Sequence, residues 1–262
     1  MALRWHSLLL LAAFLCALGL YLLTVAMPAA SASAEVGFRI FLPIVRHQQA
    51  PGCQPIPEES YDAIPVDGLS PDPGVPATDH PDLNLELRGY SENLSAYRGL
   101  VDYNGAYDPL APRLHTLFGD ARWPVIPRVY RVYQWDGQWP GTYGVYPILS
   151  PEVTLIGLGS TAGEKVHVPN RAAEIFHDTV TGKHYVAMVL YAAPDRITLK
   201  YTRDDHVITG YTIHIEGICV EPRLLALYDA LAAAGRTYLP GLRFGQAIGR
   251  AIGGEVGVAI RD

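Results

Sequence analysis

The side chains with the most chemical promise stand together near residue 214. Thr212, His214 and Glu216 alternate there with Tyr211, Ile213 and Ile215, and a period of two sends the two sets to opposite faces of a sheet. An imidazole flanked on its own face by a hydroxyl and a carboxylate has the parts of a general base or of a metal ligand set. The blander reading, a solvated strand histidine, is the one adopted here, because the polar face of an alternating strand ordinarily meets water. Upstream, Ile197, Leu199 and Tyr201 alternate with Thr198 and Lys200, so residues 195–216 read as one β-hairpin that turns through the polar segment 202–206.

Other reactive residues are scattered. His167, His177, His184 and His206, with Asp178 and Asp205, are raw material for a rearranged metal site. No His-x-His, His-Glu-x-x-His or Cys-x-x-Cys spacing groups them, so no metal and no other cofactor is expected. Ser160 lacks the Gly-x-Ser-x-Gly elbow of a serine hydrolase. Asp102, Asn104 and Asp108 do not complete a calcium loop. Residues 128–146 are rich in aromatic side chains, and Trp135 and Trp139, together with Tyr211, are the candidate binding residues. Such rings stack on sugars or peptides, although they are equally ordinary on half-buried strands. Cys53 and Cys219 form an even pair, for which an oxidising compartment predicts a disulfide, two unpaired thiols being the alternative.

These residues need elements to position them, and the composition favours strands. Of 262 residues 49% are hydrophobic and 18% charged, with 25 Gly and 21 Pro punctuating short apolar runs; a mainly β fold is expected. The net charge of −6 offers no basic surface for a phosphate backbone, so nucleic acid is excluded as a partner. Residues 1–34 read as an export signal, with Arg4, an apolar run from Leu8 to Met27 and the Ala32-Ser33-Ala34 cleavage site. If uncut, the run exceeds the ~18 apolar residues that span a bilayer and would serve as a membrane anchor. The protein is therefore expected to be exported, either secreted or held at the outer face of the cytoplasmic membrane. Residues 35–82 read as a Pro-rich linker, 83–146 as an aromatic-rich β-containing region and 147–262 as a β domain. One helix is predicted from Glu221-Pro222 to Gly235, with Leu224, Leu227, Tyr228 and Leu231 on its apolar face. A last strand over 255–260 ends the chain with little left to cover its edge.

The order of pieces over residues 148–261 resembles the lysostaphin-type zinc endopeptidases, which cut peptide cross-links of bacterial cell walls. The resemblance rests on the strand end Gly210-Tyr211-Thr212-Ile213-His214 and on Gly245-Gln246-Ala247-Ile248-Gly249, similar to the family's Gly-Gln-x-Ile-Gly turn. It implies a β-sandwich or barrel-sandwich domain interrupted here by the helix, and it places His214 at the position of a catalytic histidine. The family's zinc ligands, however, are replaced by Ser150 and Thr154 on the first strand and by Glu255 and Gly257 on the last. The resemblance thus implies a domain that binds or scaffolds at the cell envelope, with cell-wall glycan or peptide as partner. Two alternatives stay open: an active zinc metalloendopeptidase with displaced ligands, and a carbohydrate-binding module built on Trp135 and Trp139.

Overall fold

Alternation and turn chemistry give a mainly β chain. The structure, a computed structural model, describes residues 53–68, 75–99, 108–134, 146–147 and 153–261; residues 1–34, expected to direct export, and Trp135, Trp139 and Ser150 lie outside them. In chain order the strands are β1 (Asp62–Pro65), β2 (Tyr90–Glu92), β3 (Arg128–Gln134), β4 (Tyr146–Pro147), β5 (Thr154–Gly159), β6 (Lys165–His167), β7 (Phe176–Asp178) and β8 (Lys183–Tyr185). They continue as β9 (Ala187–Ala193), β10 (Arg196–Lys200), β11 (Thr212–Glu216) and β12 (Ile218–Val220), then helix α1 (Pro222–Ala233), β13 (Tyr238–Leu242), β14 (Ala247–Ala251) and β15 (Glu255–Arg261). The main sheet runs β1-β13-β9-β10-β11-β15-β5-β3-β2, with β4 attached to β3; β12-β14-β6 and β7-β8 form two smaller sheets. Among the described residues every strand pair is antiparallel.

The expected hairpin is β10 and β11, in the register Ile197 opposite Ile215, Thr198 opposite His214 and Leu199 opposite Ile213. Its apolar set joins the main core with Val256, Val258, Leu158 and Val129. Its polar set does not meet water. That second face is buried too, beside a small cluster of Leu85, Val132, Leu155 and Ala259. The connection between the strands also differs from a plain surface turn, because Asp205 is buried and takes two hydrogen bonds from the Arg236 guanidinium.

Helix α1 forms where its sequence signals place it. Glu221 caps it, its carboxylate accepting from the backbone N–H of Arg223 at 2.7 Å and of Leu224 at 3.0 Å, and Pro222 needs no donor in the first turn. Leu224 and Tyr228 are its buried residues, and it packs on β13 and β9. Gly235, at φ +94°, lies just beyond its end.

Three sequence expectations need correction. Residues 53–67 are not an extended linker: Ile56 and Ile64 are fully buried, β1 forms the edge of the main sheet against β13, and Tyr61 donates to the Ala247 carbonyl at 2.8 Å. Their apolar residues are few, but Ile56 and Ile64 are buried and Tyr61 and Val66 pack against the core. The aromatic-rich region is continuous with the C-terminal strands, since β2 and β3 extend the sheet from β5 and His47–Asp262 form one compact unit. The last strand is not an edge either. β15 lies between β11 and β5, while among the described strands the edges are the short β1 and β2.

Candidate functional site

His214 sits at the centre of a buried polar face. Thr198 opposite it donates its hydroxyl to the Leu83 carbonyl at 2.6 Å, so the same oxygen accepts from His214 Nδ1 at 3.0 Å. That assigns the proton to Nδ1 and leaves Nε2 as an acceptor, which has no hydrogen-bond partner among the described residues. Burial, reinforced by the Arg261 guanidinium, pushes the His214 pKa down from 6.5 to about 3; Asp82, which accepts hydrogen bonds from Arg88 and Arg261, opposes this only in part. The solvated reading of His214 is therefore overturned. Residues 80–90, through Leu83 and Leu85, bring backbone over the face that an isolated hairpin would leave wet.

The neighbouring polar pairs are also buried. Lys200, with no exposed surface, donates to the carbonyls of Thr209 and Gly210 and reaches Thr212 Oγ1 at 3.3 Å. Arg196 pairs with Asp195 at 2.9 Å and with Glu86, and its Nε lies 3.3 Å from Glu216 Oε2 without a hydrogen-bonding angle. Burial consequently dominates at Glu216 and raises its pKa to about 7 despite Arg196. Further along the face Tyr130 donates to Glu255 Oε1 at 2.6 Å. Gly157 leaves room for that carboxylate, since a Cβ there would stand 2.4 Å from Glu255 Cδ. The network ties the strands to the covering segment.

Of the described residues carried by the resemblance, His214, Glu255 and Gly257 share this face and Thr154 does not, since alternation puts it with Ile156 and Leu158 on the main-core side of β5. Thr154 opens β5, and Glu255 and Gly257 lie on β15. Gly257 offers no ligand atom, and Glu255 is engaged by Tyr130. Tyr211, named for binding, is half-buried against the core, and its hydroxyl donates to Asp108. The structure joins Cys53 to Cys219, with 5.7 Å between their Cα atoms. Ser160 donates to the Gly253 carbonyl at 2.9 Å, His206 Nδ1 accepts from the Ile208 amide at 3.2 Å, and His167 Nδ1 pairs with the Gly245 carbonyl at 2.9 Å.

Away from the buried face, the scattered histidines yield one group among the described residues. Glu174, His177 and His184 each present a ligand atom within 4.8 Å of the others, all three side chains being exposed. Sequence reasoning had both histidines but not Glu174, and it looked for spacing along the chain; the pair is opposed across two strands, which no linear pattern reveals. The β7–β8 turn of four residues was the available signal. Compared with family models, curated proteins and solved structures, the chain matches none. None of these comparisons identifies a lysostaphin-type family.

Proposed function

We propose that the chain is an exported protein of the cell envelope whose lysostaphin-like β domain binds or scaffolds and does not hydrolyse. The observation that carries this reading is the state of His214, the residue at the family's catalytic position: buried on all sides, held by Thr198 and kept neutral down to about pH 3. A general acid or base must reach the proton it transfers, to about 3 Å or through one water. The replaced ligands add to it, since Gly257 has no donor and Thr154 is a poor substitute for the nitrogen, sulfur or carboxylate oxygen that zinc takes. The bond between Cys53 and Cys219 supports export, because such bonds persist mainly outside the reducing cytosol.

The wall peptide or glycan is the partner this reading names. The test is incubation of the purified exported chain with isolated cell-wall sacculi, with added zinc and with a chelator. Co-sedimentation without release of cross-link peptides is expected in both conditions. Zinc-dependent release would make the protein a peptidase, and failure to sediment with sacculi would remove the wall as its partner.

A further inference from the structure

The small sheet β7–β8 places two imidazoles at one cross-strand position. His177 is the register partner of His184, and their rings stack with centroids 4.1 Å apart and planes within 18°. Directly opposed residues have Cβ atoms only ~5 Å apart, so their side chains converge by construction. The Glu174 carboxylate accepts a hydrogen bond from His184 Nδ1, bringing an oxygen to the two rings.

The hairpin is well anchored beneath this group. Alternation turns Phe176 and Tyr185 to the other face, where their rings stack at 6.0 Å and the Tyr185 hydroxyl donates to Asp62 of β1 at 3.1 Å. Lys183 donates to the same carboxylate group at 2.7 Å, which directs its charge to β1. Asp178 closes the turn, accepting from the Val180 amide at 2.9 Å and from the Thr181 hydroxyl at 2.6 Å, while Gly182 takes φ +70° and its N–H returns to the Asp178 carbonyl at 2.7 Å. Both strands are therefore fixed, and only the outer side chains have freedom.

We propose that Glu174, His177 and His184 form a binding site for a borderline divalent transition-metal cation, zinc being the principal occupant. Two neutral imidazole nitrogens and one carboxylate oxygen are the donor set such ions take, whereas calcium and magnesium require mostly oxygen. Bonds of about 2 Å in tetrahedral geometry set ligand atoms roughly 3.3 Å apart. The observed separations, within 4.8 Å, close to that by torsion of exposed side chains and need no backbone shift. Three protein ligands leave one position for water or for a donor from a partner. His214, sealed in the interior, takes no part, so this site is separate from the one the family would use.

The test is calorimetric titration of chelator-treated full chain with Zn2+ alone, and with Mg2+ alone. A single Zn2+ per chain is expected, with no heat from Mg2+. His177→Ala and His184→Ala should each weaken zinc at least as much as loss of an outer-shell partner does, roughly 10- to 100-fold, and the double variant should abolish the event. His206→Ala should leave it unchanged, and NMR should show zinc shifting the ring protons of His177 and His184. Undiminished binding by the double variant, or no binding by the native chain, overturns the site.

Discussion

At Glu216 and His214 two buried groups pull the pH dependence of folding in opposite directions. The Glu216 pKa is raised by burial from 4.5 to about 7, so between those values the folded chain keeps a proton that the unfolded chain has released. Its contribution is fully present below 4.5, falls as pH rises through that window and is gone above 7. His214, lowered by burial from 6.5 to about 3, does the reverse: the unfolded chain takes up a proton that the folded chain refuses, so stability is lost as pH falls from 6.5 towards 3. Between 4.5 and 6.5 the two slopes oppose each other. Glu216→Gln removes one of them. The variant should therefore gain stability relative to the native chain on going from pH 4.5 to pH 8, by at most about 3 kcal/mol, since each pKa unit is worth ~1.4 kcal/mol. Urea midpoints of both proteins across this range measure it, and parallel profiles would show that Arg196 neutralises the burial of Glu216.

In the Gly245-Gln246-Ala247-Ile248-Gly249 segment Gln246 and Gly249 serve packing. Gln246 is buried, its Oε1 accepting from the Arg243 amide at 2.9 Å and its Nε2 donating to the Ser60 carbonyl at 2.8 Å. Gly249 of β14 is the register partner of Val220 in β12, and a Cβ there would stand 2.4 Å from the Cys219 carbonyl oxygen. Backbone cannot give way as a flexible side chain does. Gly249→Ala should thus destabilise by about 1–3 kcal/mol, while Gly253→Ala, with open space around its Cβ position, should stay within ~0.5 kcal/mol. Thermal unfolding of the pair decides, and equal effects would mean that the strands part more easily than their packing implies. Elements of this kind were legible: the β10–β11 hairpin and α1 carry local signals, namely alternation, a Pro at the helix start and a Gly beyond its end. What covers the polar face of the hairpin was not legible. A strand pattern states which residues share a face, whereas the cover comes from Leu83 and Leu85, more than a hundred residues earlier.

For the whole chain, the mainly β class followed from composition, but the assignment of residues 35–82 to a linker does not hold for the described residues 53–67, because Pro and Gly mark turns as well as extended linkers. Ile56 and Ile64 reach the core one at a time, without a periodic run to announce them. The same stretch is bound covalently, and the bond between Cys53 and Cys219 spans 166 residues. Closing so long a loop in the unfolded chain is worth about 5 kcal/mol in the chain-entropy model, and 2–5 kcal/mol is the usual cost of losing such a bond. The native contacts do not depend on it. Ile56 N–H still donates to Glu221 at 3.2 Å, β1 still pairs with β13, and Arg243 still holds Asp62 at 2.9 Å. Cys53→Ser/Cys219→Ser should therefore keep the folded far-UV spectrum and lose stability globally, with a fall in Tm on the order of 10 °C, at ~2–4 °C per kcal/mol for a unit of this size. Scanning calorimetry of the variant beside the oxidised protein measures the fall. An unchanged Tm would mean that the unfolded chain gains no freedom on losing the bond, and that β1 and the capped start of α1 stay associated after the rest has unfolded.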